Sequence, residues 1–159
     1  MYRLGEMVVH PLHGAGRISD IVKKTVDGCE RIYYVLSIES GAMSVMVPQD
    51  KSREIGLRPV MGKREAERVF RAIPDMNADC PESNWNKRYK ENMLRIKSGD
   101  PMEVACVVKG LMLREGGKGL STGERKMLRY AKDILISEMI LSLEQSTSEI
   151  ESKLTLAVS

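Results

Sequence analysis

The sequence is poor in aromatic side chains, cysteine and histidine. Aromatic residues make up only 4% of the 159 residues, with one Trp and one Phe, so eleven Met supply part of the apolar volume of any core. The cysteines Cys29, Cys80 and Cys106 are widely spaced and include no CxxC pair. This argues against a disulfide framework and favours a reducing, cytoplasmic location. No apolar run resembles a signal peptide or approaches the ~20 residues of a membrane span, so we expect no membrane association.

Signatures of catalysis and metal binding are missing as well. The chain contains no phosphate-binding-loop, zinc-protease or serine-hydrolase motif, and its acidic residues are scattered. His10, His13 and Cys29 are too few for a zinc site, which needs about four ligands at recognisable spacing. The glycines at 116–119 precede a helix and fit either a flexible linker or a backbone contact to phosphate. We therefore predict that the protein is not an enzyme and needs no cofactor or metal.

Positive charge is concentrated in the second half of the chain. The formal net charge is +3, but residues 109–132 carry seven basic and two acidic side chains, whereas residues 133–159 carry one and five. Residues 85–97 add five basic side chains against one acid. Such asymmetry is typical of proteins that bind a polyanion such as nucleic acid, although a solvated surface produces the same pattern.

Residues 1–59 alternate short β-prone runs with turn signals. Asp27-Gly28 is a strong hairpin signal, and Gly14 and Gly16 can take positive φ in a turn at residues 11–16. Four or five short strands within about 60 residues predict a small barrel, because closure hides the edges of a sheet. The predicted strands are residues 7–10, 17–22, 31–38 and 43–47, with a further turn at Ser40-Gly41.

Residues 60–159 show helical periodicity, which predicts an α+β protein with a β-barrel domain at 1–59 and an all-α bundle of about five helices at 60–159. Asp100 before Pro101 marks one helix start, and Ser121 with Glu124 forms a capping box at another. The predicted helices are one through Ala66, Val69, Phe70 and Ile73 that ends at Pro74, one from Trp85 to Lys97, one from Pro101 to the glycines at 116–119, a long one after Ser121, and a tail helix through Ile150 and Leu154.

Trp85, the only tryptophan, lies at a predicted helix start that Ser83 or Asn84 can cap. Two interpretations remain open from the residues alone. Trp85 extends an apolar stripe of Tyr89, Met93 and Ile96 and could be a buried core anchor. It is also followed by clustered cations, as in an exposed ring that contacts bases and phosphates together. Those cations are Lys87, Arg88 and Lys90.

Five segments carry a resemblance to a known family, in order and over nearly the whole chain. The most specific are Asn84–Lys90, around the tryptophan, and Gly119–Leu128, with its Leu-Ser-x-Gly-Glu helix start. The others are Leu4–Gly16, Val45–Pro48 and Ile55–Arg58. Together they resemble the CarD family of bacterial transcription regulators.

For the first domain, the resemblance implies a Tudor-like, SH3-like barrel that binds the β subunit of RNA polymerase. Lys24 matches a basic position of the polymerase-binding hairpin, and Val45, Met46 and Val47 lie on the contacting strand. Met46 is a departure, because other members have arginine there.

For the second domain, the resemblance implies contact with promoter DNA at the upstream edge of the transcription bubble. Trp85 would wedge into the minor groove and stabilise the open complex. Lys87, Lys90 and Arg125 match basic DNA-facing positions, and Arg88 and Lys126 extend the expected DNA-binding surface.

Two other functions remain open at this stage. A small barrel with a glycine-rich strand entry also occurs in ribosome-associated and RNA-binding proteins, which would not need the basic helices. A protein adaptor would use the barrel without touching DNA. We expect a monomer or a dimer that exchanges barrel strands.

Overall fold

The computed structural model describes residues 1–38, 43–78 and 84–159, which form an N-terminal antiparallel sheet followed by helices. This confirms the predicted α+β fold. The turn predicted at Ser40-Gly41, Cys80 and the alternative cap Ser83 lie outside the described residues. The strands are β1 (Met7–His10), β2 (Gly14–Val26), β3 (Cys29–Ile38), β4 (Met43–Pro48) and β5 (Arg58–Pro59).

The sheet has the strand order β4-β3-β2-β1-β5, so β4 and the two-residue β5 are its edges. β2 and β3 form the longest pairing, joined by Asp27 and Gly28. Their φ values of 52° and 78° are the left-handed values that a two-residue hairpin turn requires. A bulge between Ile18 and Asp20 interrupts the register, and beyond it the hairpin is largely exposed.

Gly14 and Gly16 differ from the prediction, since both belong to β2 rather than to the preceding turn. Gly14 does have a positive φ of 90°. Gly16 is needed for a different reason, because a Cβ there would lie 2.3 Å from the carbonyl oxygen of Ser37 on β3. Close approach of two strands, not turn geometry, therefore requires glycine at position 16.

The inner face of the sheet encloses a small core. Alternate residues point inward because successive side chains of a strand lie on opposite faces. The buried apolar side chains of this core are Val8, Ile18, Tyr34, Leu36, Ile38, Val47 and Leu57.

Six helices are described, of which the first is a single turn in the N-terminal part. The five that follow residue 60 pack around a second, larger core, to which each of them contributes buried apolar side chains. The first of these five ends at Ala72, just before the predicted stop at Pro74, and a 3-10 turn, Ile73–Asp75, follows it. The helices are α1 (Ser52–Ile55), α2 (Lys63–Ala72), α3 (Trp85–Lys97), α4 (Pro101–Gly116), α5 (Thr122–Leu143) and α6 (Thr147–Val158). Among the described residues, no helix has the length and apolarity needed to cross a membrane.

The predicted helix caps at Asn84, Asp100 and Ser121 are confirmed. The Asp100 carboxylate accepts the N–H of Met102 at 2.9 Å, and the Ser121 hydroxyl accepts the N–H of Glu124 at 3.2 Å. These side chains satisfy backbone donors that the first turn of a helix leaves unpaired. Local sequence therefore determines where α3, α4 and α5 begin.

Ser137 and Glu138, in the C-terminal half of α5, connect the sheet to the helical bundle. The buried carboxylate of Glu138 accepts two bonds from the Arg58 guanidinium, at 2.6 and 2.7 Å, and one from the N–H of Met61 at 2.8 Å. The N–H of Ala15 on β2 donates to the Ser137 hydroxyl at 2.9 Å, and a Cβ on Gly14 would lie 2.7 Å from that oxygen. The sheet and the bundle are thus held together by hydrogen bonds as well as by apolar contact.

We expect Arg58→Met to lower the free energy of unfolding by about 3 kcal/mol, because Glu138 would keep a buried, unpaired charge. Urea unfolding measures this change. The control is Arg95→Met, which removes an ion pair of 3.4 Å between Arg95 and Glu103 with both side chains about half exposed. It should change stability by no more than about 0.5 kcal/mol. Equal losses in both variants would contradict a specific role for the Arg58–Glu138 pair.

Candidate nucleic-acid interface

Trp85 is the first residue of α3, and the local sequence fixes that start. The Asn84 side-chain oxygen accepts the N–H of Asn86 at 2.9 Å and that of Lys87 at 3.3 Å. This is the cap geometry that a short amide side chain provides at a helix N-terminus. The tryptophan therefore projects from the beginning of a helix whose direction is set by its cap.

Three contacts hold the Trp85 ring against the N-terminus of α5. Its Nε1–H donates to the Ser121 hydroxyl at 3.0 Å, and its ring stacks on Tyr89 with centroids 5.3 Å apart. A Cβ on Gly123 would lie 3.1 Å from the ring atom Cζ2. Even so, 42% of Trp85 is exposed. The ring is thus oriented by its neighbours while much of its surface remains open to solvent.

The Ser121 hydroxyl uses its whole hydrogen-bonding capacity in this arrangement. It accepts from the Trp85 indole and from the N–H of Glu124, and it donates to the Glu124 carboxylate at 3.3 Å. A hydroxyl has one donor and two acceptor positions, so all three are occupied. The residue that caps α5 therefore also anchors the tryptophan.

The apolar stripe expected along α3 reaches the core only at its far end. Ile96 is fully buried and Met93 packs partly against the core, but Tyr89 is exposed and stacks on Trp85 instead. The prediction that Tyr89 faces the core was wrong. The ring pair Trp85–Tyr89 forms an aromatic surface of its own at the start of α3.

The buried side chain of Glu124 connects the N-terminal ends of α3 and α5. Arg88 binds its carboxylate at 3.2 and 3.3 Å, and Arg114 approaches to 3.9 Å. Burial alone would raise the pKa of Glu124, but the hydrogen bond and charge of Arg88, with Arg114 and Ser121, outweigh it and lower the pKa below its ordinary value. The carboxylate is therefore charged at neutral pH and holds α3 against α5.

Arg88 requires a correction as a DNA-facing residue. It is only 6% exposed and its guanidinium is turned toward the Glu124 carboxylate. A buried guanidinium cannot reach a phosphate on the protein surface without breaking this pair. The sequence did not reveal this, because Arg88 stands between two lysines that look the same in charge.

The other cations expected at this surface are exposed. Lys87 and Lys90 lie on α3, and Arg125 and Lys126 lie in the first two turns of α5. Arg129, which was not among the expected site residues, is exposed four residues after Arg125. Its spacing of four residues from Arg125 could have identified it from the sequence, because residues at i and i+4 share a helix face.

On the sheet, the register places Lys24 and Met46 on one face. Lys24 lies opposite Arg31, and Met46 lies opposite Val35. Arg31 and Val35 are four residues apart on β3, about 13 Å, and their side chains point the same way. Met46 is 40% exposed on the edge strand β4.

The neighbours of Met46 on β4 point the other way. Val47 is 1% exposed and belongs to the sheet core, and Val45 packs against that core. Their side chains are therefore not available to a partner on the outer face, which corrects the expectation for both residues. Arg31 was missed from the sequence, because only the pairing register shows that it lies opposite Lys24.

The two histidines form a local structure at the end of β1. Their rings lie 4.6 Å apart, and Nδ1 of buried His10 accepts the N–H of Leu12 at 3.1 Å. Burial and the neighbouring His13 lower the pKa of His10 to about 4. Within the part of the chain that the structure describes, no group of three or more His, Cys, Asp or Glu is placed to hold a metal ion.

Comparison with known proteins gives the same family over both parts of the chain. Residues 2–61 match the CarD-like/TRCF RID domain, and residues 68–155 match the CarD C-terminal domain. The chain belongs to the CarD family. The putative transcription factor YdeB of Bacillus subtilis (strain 168) is a relative with 35% identity over 141 residues, which cover 87% of this chain and 90% of YdeB.

In this CarD-family protein, we expect Ser121→Ala to cost more stability than Ser146→Ala. Ser146 caps α6 through the N–H of Glu149 at 3.2 Å, the same geometry as Ser121, but anchors no tryptophan. Both variants lose a cap, about 1 kcal/mol, and Ser121→Ala also loses the indole hydrogen bond, about 1 kcal/mol more. Urea unfolding measures the difference.

Tryptophan fluorescence provides the second measurement, since Trp85 is the only tryptophan. Its emission should shift to longer wavelength in Ser121→Ala, where water replaces the hydroxyl, and stay unchanged in Ser146→Ala. Equal unfolding costs with unshifted emission would show that Ser121 does not orient the ring.

Proposed function

We propose that this chain is a transcription regulator that binds the β subunit of RNA polymerase through its sheet and promoter DNA through its helical bundle. Trp85 acts as a minor-groove wedge at the upstream edge of the bubble and stabilises the open complex. The observation that carries the proposal is the half-exposed Trp85 ring, oriented by Ser121 and flanked by exposed cations on α3 and α5.

The energetics of a wedge favour the edge of a bubble. Inserting a side chain at a base step costs a few kcal/mol in unstacking, and the cost is least where the duplex already frays. A ring oriented by a hydrogen bond and a stack has lost rotamer freedom on folding, so less entropy is lost on binding. Trp85 shifts the equilibrium between the closed and the open complex only by the difference between its affinities for the two states. A difference of about 1.4 kcal/mol changes the equilibrium constant tenfold.

Electrostatics support the same surface. Lys87, Lys90, Arg125 and Lys126 surround the two helix starts and are exposed. No acid occurs in the first turn of α3, and the acid in that of α5, Glu124, is buried against Arg88. Phosphate would therefore meet cations and helix N-termini at this surface.

The outer face of the sheet supports binding of a protein. β4 is an edge strand, and an edge offers unpaired backbone groups to an added strand. Lys24 and Arg31 are like charges directly opposite each other, an arrangement that costs stability unless an acidic partner neutralises it. The contact proposed on the polymerase β subunit would then combine acidic side chains, which neutralise Lys24 and Arg31, with an apolar contact for Met46.

Met46→Glu should weaken binding to a polymerase β fragment at least tenfold, because it places a charge in the proposed apolar contact. Titration calorimetry with the fragment measures this. Leu94→Glu is the matched control, since it puts the same charge on an exposed leucine of α3, outside the sheet. If Met46→Glu binds as tightly as the control, the contact lies elsewhere.

Neutral substitutions of Lys87, Lys90 and Arg125 to Gln should each reduce the salt slope of DNA affinity by up to about 0.9, one phosphate contact. Affinity for duplex DNA is measured at several salt concentrations. Lys51→Gln, which removes an exposed cation between the strands β4 and β5, should leave the slope unchanged. A loss of affinity at constant slope would assign these side chains a role other than phosphate contact.

Trp85→Ala should weaken binding to forked DNA by about 1–3 kcal/mol and to closed duplex by less, since a closed step resists insertion. Open-complex lifetime with polymerase should fall in parallel, while β-fragment binding stays intact. Trp85→Phe retains a ring and should lose less than Trp85→Ala. Equal losses on forked and closed DNA would remove Trp85 from the wedge role.

The same assays separate this proposal from the two alternatives. An RNA-binding barrel would bind RNA through residues 1–59 and be insensitive to Lys90→Gln or Trp85→Ala. A protein adaptor would bind the β fragment and show no affinity for forked DNA. A combined result of β-fragment binding and Trp85-dependent fork binding supports the proposed regulator.

A further inference from the structure

A cavity of about 390 Å³ opens between α3 and α4, behind the Trp85 surface. One wall is apolar and comes from α4, through Val107, Gly110 and Leu111. The polar lining includes Arg88 and Glu124, which are buried, and Arg114. The volume lies within the range of about 300–1,000 Å³ that small-molecule sites occupy, and an apolar wall with a few convergent polar groups is typical of them.

The described lining of the cavity carries a net positive charge. Among the described residues it contains four cations, Arg88, Arg95, Arg114 and Lys118, and two acids, Glu91 and Glu124. Glu124 is already bound to Arg88, and Arg95 is within 3.4 Å of Glu103. Lys118 is exposed and Arg114 comes no closer than 3.9 Å to Glu124, so these two are the cations with most capacity for an anionic ligand.

Arg114 is also incompletely satisfied. Its Nε is buried and has no hydrogen-bond partner within the described residues, with the Glu124 carboxylate 3.9 Å away. A buried donor without a partner is destabilising, and a guanidinium is well suited to phosphate oxygens. The Arg114 guanidinium thus has hydrogen-bonding capacity that an anion in the cavity could use.

We propose that this cavity binds a small phosphorylated molecule of nucleotide size, with its phosphate on Arg114 and Lys118 and its body against the wall of α4. The proposal does not depend on DNA or polymerase binding. Ligand binding would be transmitted to Trp85, because Glu124 lines the cavity and hydrogen-bonds Ser121, which in turn holds the indole.

The experiment titrates the full chain with inorganic phosphate, pyrophosphate, ADP and GDP, using Trp85 emission and calorimetry together. We expect saturable binding of at least one nucleoside diphosphate, about tenfold tighter than pyrophosphate because the apolar wall contributes. Trp85 emission should change with the same midpoint. The proposal would be overturned if neither ADP nor GDP bound more tightly than pyrophosphate, or if none of the four probes showed saturable binding.

Three variants locate the binding. Arg114→Gln should weaken it at least about tenfold, the loss of one charged hydrogen bond. Lys118→Gln, in an exposed loop where folding is not at risk, should weaken it severalfold. Arg129→Gln removes an exposed arginine of α5 that does not line this cavity, and it should bind as the parent does. Equal weakening by Arg129→Gln and Lys118→Gln would show general surface attraction and overturn the site.

Discussion

The buried carboxylate of Glu124 is the contact on which the arrangement of the candidate site depends. It holds Arg88 from the first turn of α3 and accepts a hydrogen bond from Ser121 at the start of α5. Since Ser121 in turn receives the Trp85 indole, one charge determines how two helix starts meet. Breaking a buried pair leaves an uncompensated charge, so this geometry resists local change.

A second buried glutamate that pairs with an arginine lies in the C-terminal half of α5. Glu138 lies 14 residues after Glu124, about 21 Å along the helix. It is bound by Arg58 from the strand β5, as Glu124 is bound by Arg88 from α3. Both acids are buried on one helix, and both are neutralised by an arginine from another part of the chain. α5 therefore positions both the aromatic surface Trp85–Tyr89 and the sheet, because each is held through one of these two acids.

Local features were predictable from the sequence, whereas tertiary pairing was not. The caps at Asn84, Asp100 and Ser121 and the hairpin at Asp27-Gly28 depend on neighbouring residues, so short patterns identify them. Arg88 shows the limit, because an arginine among lysines has the same sequence signal whether it is buried on a carboxylate or exposed. The two faces of β4 show a related limit, since Met46 and Val47 differ in exposure only through the direction of the pleat.

The intermediate exposure of Trp85 follows from the contacts that it makes. A tryptophan ring buried in the core could not reach DNA. A ring without neighbours would sample several rotamers and would lose that conformational freedom when it inserted into DNA. The contacts with Ser121, Tyr89 and Gly123 use one edge and part of one face of the ring, and 42% of the residue remains accessible. Glycine at position 123 is part of this arrangement, because a larger side chain would push the indole away from the hydroxyl that orients it. The open part of the ring is thus available without any rearrangement of the core, and its direction is set by the fold before a partner arrives.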